Sequence, residues 1–246
     1  MALTTIGFDA DDTLWHSESH FLLTTDRFCE LIAPWIQASR LQSPSTGDSS
    51  QRERIETQLI NIERRNLQLL GYGAKAFTLS MIETAIEVSE GEIPASAIAE
   101  ILRWGHELLN HPVELLDGVT ATLDALAGSY ELLLITKGDL LHQESKIAQS
   151  GIAPIFSGIE IVSNKTADSY QRVLHGRAVH AKEFLMVGNS VRSDVLPVLE
   201  LGAQAVHIPY HVTWALEELE STDLQAEQFH SCRHISELPA LLSSLN

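Results

Sequence analysis

Near the start of the chain a short apolar run ends in three acids and a hydroxyl: Thr5-Ile6-Gly7-Phe8-Asp9-Ala10-Asp11-Asp12-Thr13-Leu14-Trp15. This pattern is typical of a buried strand in a parallel sheet, and ligands of open α/β sheets bind beyond the carboxyl ends of such strands. Asp9 and Asp11 are two residues apart, so an extended backbone places both side chains on one face. Two carboxylates held together repel unless a cation or a proton lies between them. The stretch therefore predicts a Mg²⁺ site with a nucleophilic aspartate; the alternative is an acidic loop that caps the next helix.

The composition is that of an ordinary globular protein. The chain has 246 residues, of which 44% are hydrophobic and 20% are charged, enough for a sizeable core. A formal net charge of −17 argues against nucleic acid or an anionic membrane as a partner, because both need a basic surface. Cys29 and Cys232 lack metal-ligand spacing and cannot build a disulfide framework. With no signal-peptide pattern and no run of ~18 apolar residues, a cytoplasmic location is expected.

After the first strand the sequence predicts only helices, as far as about residue 113. Apolar residues recur at helical spacing over about 21–40, 55–70, 75–89 and 94–109. Glycines end the second of these helices and a proline opens the fourth. We therefore expect an all-helical domain, residues 17–113, inserted after the first strand.

From about residue 114 onward, strands alternate with helices. Apolar strand-like runs lie at 130–136, 159–162, 184–187 and 203–208, with a weaker one at 229–235. This alternation predicts an α/β fold with a doubly wound, Rossmann-like parallel sheet covered by helices on both faces. The catalytic core would consist of residues 1–16 and 114–246.

Polar side chains follow four of the predicted strands. They are Asp9 and Asp11, Thr136 with Lys137, Lys165, and Asn189 with Asp194. Because the carboxyl ends of parallel strands lie along one edge of the sheet, we expect these groups to meet there. The set suits phosphoryl transfer: one carboxylate can attack phosphorus, and a second can protonate the leaving oxygen and later activate water. A hydroxyl, helix amides, a lysine and Mg²⁺ would hold the phosphate and offset its charge.

In this order the residues resemble the four motifs of the haloacid dehalogenase-like hydrolases. Asp9-Ala10-Asp11-Asp12-Thr13 matches the first motif, an Asp-x-Asp-x-Thr after a strand, and Thr136 matches the second. Lys165 is similar to the lysine of the third motif, and Gly188-Asn189-Ser190-Val191-Arg192-Ser193-Asp194 is similar to the acidic fourth motif. The helical insert resembles the family's first type of cap domain.

The resemblance implies a role for each matching residue. Asp9 would be the nucleophile and a Mg²⁺ ligand, while Asp11 would be the general acid/base and offer its backbone carbonyl to the metal. Lys165 would steady Asp9 and the phosphoryl oxygens. The remaining roles would be substrate binding by Thr136, Lys137 and Gly138, and completion of the metal site by Asp194 and Asn189.

Two residues depart from the family pattern. Asn189 stands where the family usually has an aspartate. An amide oxygen can coordinate Mg²⁺ but brings no charge, so the metal affinity is expected to fall while the site remains usable. Lys137 stands where small polar residues are more common. It either supplies positive charge to the phosphate or is a solvated lysine.

Several neighbouring residues have simpler interpretations. Asp12 is expected to be solvated or to bond within its loop rather than to take part in catalysis. Trp15 and His16 either face the substrate or form a packed hinge. A second acidic group is interpreted as a solvated face: Glu217, Glu218, Glu220 and Asp223.

The predicted function is Mg²⁺-dependent hydrolysis of a small phosphorylated metabolite, a phosphate monoester, through an aspartyl-phosphate on Asp9. Closure of the cap would exclude water during phosphorylation. The resemblance implies that Asp11 favours phosphate esters, because displacement of a halide needs no leaving-group proton. Two alternatives stay open: a phosphomutase or another C–P or carbon–halogen hydrolase on the same scaffold, and a non-catalytic protein that binds a phosphorylated ligand because Asn189 replaces the usual aspartate.

Overall fold

The computed structural model describes residues 2–36, 50–218 and 226–245. The chain divides into two compact units. The core unit consists of Met1–Glu18 and Pro112–Asn246, and the helical unit consists of Ser19–His111. Three sequence predictions fall outside the described residues: the end of the first helix near residue 40, and the solvated acids Glu220 and Asp223.

The core unit is built on a six-stranded sheet in which every paired strand is parallel. The strand order is β3-β2-β1-β4-β5-β6. The strands are β1 (Thr5–Phe8), β2 (Glu131–Lys137), β3 (Gly158–Val162), β4 (Phe184–Gly188), β5 (Gln204–His207) and β6 (Phe229–Ser231). The order reverses direction at β1, which lies between β2 and β4, and this is where open α/β sheets bind ligands.

Helices cover both faces of this sheet. They are α5 (Val119–Ala127), α6 (Leu140–Ser150), α7 (Ala167–Gly176), α8 (Leu196–Glu200) and α9 (Leu238–Leu245). Side chains of α5, α6 and α9 share one buried apolar cluster with Phe8, Leu134 and Val187. Those of α7 and α8 share a second cluster with the opposite side chains of β2, β4 and β5. The predicted doubly wound α/β fold is therefore confirmed.

The buried centre of the sheet explains the glycine in β1. All four residues of β1 are buried, because both faces carry a helical layer. A Cβ on Gly7 would lie 2.6 Å from the ring of Phe184 and 3.0 Å from Sδ of Met186. Glycine at this position lets the large side chains of β4 pack across β1.

The helical unit has its own apolar core. Its helices are α1 (Glu18–Ile32), α2 (Gln51–Leu70), α3 (Ala74–Val88) and α4 (Ala95–Leu109). Phe28, Leu59, Met81 and Ile101 are among the side chains that these helices bury together. The described residues between 19 and 111 contain no strand, as the sequence predicts. None of the helices in the described ranges is both long and apolar enough to span a membrane.

Candidate active site

Asp9 lies at the carboxyl end of the central strand. Its backbone N–H donates to the carbonyl of Val187 at 2.9 Å, which continues the ladder between β1 and β4 by one residue. The backbone then turns, and the N–H of Leu14 donates to the carbonyl of Ala10 at 2.8 Å. The side chain of Asp9 is 10% exposed, so this carboxylate is nearly removed from bulk water.

Lys165 joins Asp9 to the fourth motif. Its Nζ donates to Oδ1 of Asp9 at 2.5 Å and to Oδ1 of Asp194 at 2.6 Å. Burial raises the pKa of Asp9 to about 7, and the nearby charge of Lys165 opposes this rise while those of Asp194 and Asp11 add to it. Burial alone would lower the pKa of Lys165, but the two carboxylates outweigh burial and the pKa is raised. The ammonium group is therefore charged at neutral pH.

The turn after β4 holds Asp194 in place. Residues Val191–Val195 form one π-helical turn before α8, a distortion that often occurs at functional sites. The backbone N–H of Ser190 donates to Oδ2 of Asp194 at 3.0 Å. A Cβ on Gly188 would lie 2.2 Å from the Asp194 carboxyl group, so only glycine leaves room for this carboxylate beside the strand.

Asp11 is bound by three donors, two of which the sequence analysis missed. Nζ of Lys146 lies 2.6 and 2.8 Å from its two carboxylate oxygens. Nε1 of Trp15 donates to Oδ1 at 2.6 Å, and Nε2 of Gln143 donates to Oδ2 at 3.2 Å. Burial would raise the pKa of Asp11, but the charge and hydrogen bond of Lys146, with the other donors, hold it below the usual value. Asp11 is therefore ionised at neutral pH.

Gln143 also connects Asp11 to the second motif. Its Nε2 lies 2.7 Å from Oγ1 of Thr136 and 3.1 Å from the carbonyl of Lys137. Gly138, at the turn between β2 and α6, has φ +145, a conformation that side chains rarely adopt. A Cβ there would lie 3.2 Å from Cγ of Gln143. Thr136 is thus held near Asp11, as the strand ends predict, through a glutamine that the sequence analysis did not name.

The sequence suggests that Lys137 either supplies charge to a phosphate or is solvated, but the structure pairs it with an acidic side chain. Its Nζ pairs with the carboxylate of Glu217 and donates to Oγ of Ser193 at 2.8 Å. Glu217 also accepts from the hydroxyl groups of Ser190 at 2.5 Å and Ser193 at 2.7 Å. Its side chain is 11% exposed, so the interpretation of Glu217 as part of a solvated face is wrong. Burial would raise its pKa, but Lys137 and the serines lower it.

Asp12, Trp15 and His16, in the loop that follows β1, are held by contacts with other protein groups. Asp12, at φ +62, accepts hydrogen bonds from the backbone N–H groups of Ser17 at 2.8 Å and Glu18 at 3.0 Å, so it caps the start of α1. Trp15 is fully buried and His16 shares a 2.6 Å hydrogen bond with the hydroxyl of Tyr210. Burial raises the pKa of Asp12 to about 7, and Asp11 adds to this effect.

The side chain of Asn189 lies among acceptors. One terminal atom of its amide is 3.2 Å from three oxygens: Oδ2 of Asp9, the main-chain O of Asp11 and Oγ1 of Thr13. Oγ1 of Thr13 can donate to this atom as the amide oxygen, and the carbonyl of Asp11 can accept from it as the amide nitrogen, so the contacts fit either orientation of the amide. Nε2 of His207 lies 2.9 Å from the main-chain O of Asn189 and fixes the backbone at this point.

The oxygens around Asn189 fit a Mg²⁺ ion. Oδ2 of Asp9 and the main-chain O of Asp11 converge on one point, and both are hard oxygen ligands of the type that Mg²⁺ prefers. The carbonyl oxygen of the Asn189 amide can join them when the amide turns. Within the described ranges, no three His, Cys, Asp or Glu side chains are grouped to hold a metal. Main-chain and amide oxygens would therefore have to complete such a site.

One of the missed contacts has a signal in the sequence. Gln143 and Lys146 are three residues apart on the helix that follows Thr136, so they share a face of that helix near the strand end. Glu217 has no such signal, because it belongs to a run of acids that looks uniformly solvated.

Comparisons with known proteins identify the family of this chain. A model of the haloacid dehalogenase-like hydrolase family matches residues 3–202. The crystal structure of a haloacid dehalogenase-like family hydrolase from Xanthomonas campestris is 38% identical, with a TM-score of 0.84 over 99% of this chain and 92% of that chain.

Two more distant structures share the fold. One is a predicted phosphoglycolate phosphatase from Haemophilus somnus, 17% identical, with a TM-score of 0.60 over 97% of both chains. The other is a 2-haloacid dehalogenase from Pseudomonas syringae, 18% identical, with a TM-score of 0.58 over 99% of this chain and 100% of that chain. A search of curated proteins finds no match. Since the family model covers most of the chain, the protein belongs to the haloacid dehalogenase-like hydrolases.

Proposed function

We propose that the protein hydrolyses a small phosphate monoester in a Mg²⁺-dependent reaction through an aspartyl-phosphate on Asp9. The observation that carries the proposal is the pair of carboxylates after β1, each held by its own lysine. Lys165 holds Asp9 at 2.5 Å, and Lys146 holds Asp11 at 2.6 Å. Two carboxylates with separate partners can take separate roles in one reaction.

Asp9 is the nucleophile in this proposal. An oxygen of its carboxylate attacks phosphorus, a bond from Asp9 to phosphorus forms, and the bond from phosphorus to the leaving alcohol oxygen breaks. Lys165, 1% exposed and in contact with both Asp9 and Asp194, reduces the repulsion between the attacking carboxylate and the phosphoryl group. Asp194 keeps this ammonium group in position.

Asp11 moves the protons. Asp11 is ionised in the free protein, so in this proposal it first takes up a proton as the phosphate monoester binds, because the negative charge of the phosphoryl group beside it raises its pKa. It gives this proton to the leaving oxygen in the first step, and in the second it takes one from the water that attacks phospho-Asp9 and releases phosphate. A phosphate ester needs this acid, since an alkoxide is a poor leaving group. Removal of a halide needs no such proton, so the presence of Asp11 supports the phosphatase over the dehalogenase.

The phosphoryl oxygens would be bound by Thr136 and Lys165. Asp9, the main-chain O of Asp11 and the side chain of Asn189 would hold a Mg²⁺ ion, with Asp194 near them. When bound, Mg²⁺ supplies positive charge that stabilises the phosphoryl oxygens in the transition state. Lys137 is paired with Glu217, so in the proposal it orders the end of β2 rather than contacting phosphate.

Phosphate release tests the proposal. The protein is incubated with Mg²⁺ and p-nitrophenyl phosphate, then with a panel of sugar phosphates, nucleotides and small-acid phosphates. Asp9→Asn should lose activity by about 10³-fold or more while its circular dichroism and unfolding temperature stay near those of the wild type. Asp12→Asn is the matched control, because the same substitution three residues later removes no reacting group. Activity that survives Asp9→Asn would show that the nucleophile is wrong.

The other outcomes identify the alternatives. Halide release from a 2-haloacid without phosphate release would show a dehalogenase. Conversion of one sugar phosphate into its isomer would show a phosphomutase. Saturable binding of phosphorylated compounds without turnover, with any divalent metal, would show a binding protein.

A further inference from the structure

One carboxylate, that of Glu217, joins the two strands on either side of β1. The centre of the sheet has the order β2-β1-β4. Lys137, the last residue of β2, pairs with Glu217 through Nζ. From the turn after β4, the hydroxyl groups of Ser190 and Ser193 donate to Oε2 of Glu217 at 2.5 and 2.7 Å. Glu217 therefore links both neighbours of the strand that leads to Asp9.

The side chain of Lys137 crosses the carboxyl end of β1. Its Nζ lies 2.8 Å from Oγ of Ser193, although β1 lies between β2 and β4 and neighbouring strands are about 4.8 Å apart. Lys137 and Glu217 thus form a bridge beyond the last residue of β1. Their side chains are 16% and 11% exposed, so the bridge is largely shielded from water.

The segment that contains Glu217 is fixed to the same turn after β4. Nη1 of Arg192 donates to the main-chain O of Leu216 at 2.7 Å, and Leu216 is buried. The N–H of Glu217 donates to the main-chain O of Trp214 at 2.8 Å. The backbone at Glu217 is therefore held in place, so its carboxylate can hold other groups in place.

The bridge ends beside groups that surround the phosphoryl group in the proposed function. Lys137 directly follows Thr136, whose hydroxyl would bind a phosphoryl oxygen. Ser193 directly precedes Asp194, which accepts from Lys165 at 2.6 Å. A movement of either strand end would change the spacing of these groups, and a displacement of about 1 Å can slow a reaction by about 10²-fold.

We infer that Glu217 is a positioning residue that fixes the end of β2 against the turn after β4, and so sets the spacing of the groups around the nucleophile. The inference rests on the proposed function only for what those groups bind. Stability alone is a weak reason for such a bridge, because apolar residues can often replace a buried ion pair without loss of stability.

The two carboxylate oxygens of Glu217 have separate partners. Oε1 accepts from Lys137, and Oε2 accepts from Ser190 and Ser193. Glutamine has one acceptor oxygen and an NH₂ group that cannot accept, so Glu217→Gln breaks one side of the bridge. Ser193→Ala removes a hydroxyl that contacts both Lys137 and Glu217, and it keeps both charges.

The test compares kcat with stability. For the wild type, Glu217→Gln and the double variant of Lys137→Met with Glu217→Gln, kcat and KM for p-nitrophenyl phosphate are measured at a temperature where each protein is folded. The double variant leaves no unpaired charge, so it should be more stable than the two single effects predict. We expect kcat to be about tenfold or more below the wild type in both variants, with a smaller change in KM. Recovery of kcat together with stability in the double variant would overturn the inference.

Ser193→Ala separates positioning from a direct contact of Lys137 with phosphate. The ion pair stays intact in this variant, and we expect kcat to fall by about threefold or more. A wild-type kcat would overturn the inference, because the link to the turn after β4 would then be unnecessary. Glu218→Gln is the matched control, since Glu218 is exposed, and its kcat should stay at the wild-type value. If Glu217→Gln does not fold, Ser193→Ala decides the outcome.

Hydrogen exchange tests the bridge without turnover. In Ser193→Ala, the amides of residues 137–139 and Val191–Val195 should exchange about tenfold or more faster than in the wild type. The amides of β1, which report opening of the whole sheet, should change by a smaller factor. A wild type that releases no phosphate would contradict the proposed function alone, and faster exchange in both segments would still support the bridge. Unchanged exchange in both segments would overturn the inference, whatever reaction the protein catalyses.

Discussion

Lys146 lies within hydrogen-bond distance of both carboxylate oxygens of Asp11, at 2.6 and 2.8 Å. Its side chain is 12% exposed and that of Asp11 is 29% exposed, so the pair is partly shielded from water and salt. A charge-assisted contact to both oxygens fixes the orientation of the carboxylate as well as its charge. Lys146 is therefore a positioning residue for the proposed acid/base.

Lys146→Met should shift the pH dependence of the reaction. Lys146 lowers the pKa of Asp11, so its removal raises that pKa, and the step that needs ionised Asp11 should begin at higher pH. We expect the acidic limb of kcat, which includes the hydrolysis of phospho-Asp9 by ionised Asp11, to move to higher pH, and kcat on that limb to fall by roughly tenfold or more. Lys182→Met, an exposed lysine in the same unit, is the control. An acidic limb that does not move would contradict the role of Lys146.

Asp12→Asn should change how stability depends on pH. The pKa of Asp12 is about 7 in the folded protein because of burial, against its usual value of 3.8. Between these pH values the folded state keeps a proton that the unfolded state has lost. The contribution of Asp12 to stability is therefore fully present below pH 3.8 and is lost as the pH rises through about 7.

The asparagine variant has no such proton to lose. Its amide oxygen can still accept from the backbone N–H groups of Ser17 and Glu18, and asparagine tolerates positive φ. Urea unfolding at pH 4, 6 and 8 should show the variant gaining stability relative to the wild type as the pH rises, by at most about 1.4 kcal/mol per pH unit. Parallel pH profiles would show that Asp12 ionises normally in the folded state.

The residues that the strand ends contribute to this site could be predicted from the sequence, because each is marked by a local pattern. An apolar run that stops at a polar residue defines Asp9 and Thr136, and parallel pairing of β1 with β2 and β4 brings their ends together. Lys165 and Asp194 follow their strands in the same way. Their mutual contacts could thus be anticipated from the order of strands and polar residues.

Contacts between side chains that are distant in sequence and meet only in the folded chain could not be predicted. Glu217 and Glu218 look alike in the sequence, but Glu217 turns inward to Lys137 while Glu218 is exposed. Their environments depend on where the segment after β5 packs against Lys137 and the turn after β4, which no local pattern specifies. The amide of Asn189 is similar: its identity is visible in the sequence, but the acceptors around it depend on the turn after β1.

Glu217→Gln should destabilise the core unit through Lys137. The substitution leaves a largely buried ammonium group, 16% exposed, without its counter-charge, which costs about 1 to 3 kcal/mol. Lys137→Met should also destabilise, because it leaves the carboxylate of Glu217 with only the hydroxyls of Ser190 and Ser193. The double variant should be more stable than the sum of the two single effects predicts.

Urea unfolding of the four proteins gives the coupling energy. Glu218→Gln serves as the matched control, since the neighbouring glutamate is exposed, and its stability should lie within about 0.5 kcal/mol of the wild type. Additive single-variant effects would show that the pair contributes no coupling.

Gly188→Ala should disable the site and also lower the stability of the core unit. Its Cβ would lie 2.2 Å from Cγ of Asp194, so the carboxyl group would have to move away from Lys165 and from the backbone N–H of Ser190. Since Lys165 then loses one of its two anionic partners, we expect kcat to fall by about 10²-fold. The free energy of unfolding should drop by about 1 to 3 kcal/mol from the overpacking.

Gly128→Ala is the control for this prediction. Gly128 has φ −81 and no atom within 4 Å of its ideal Cβ, so alanine fits without strain and activity should stay at the wild-type level. Phosphate release and thermal unfolding of both variants give the comparison. If Gly188→Ala were as active as Gly128→Ala, Asp194 would be shown to tolerate displacement. Its contact with Lys165 would then not be required for the reaction.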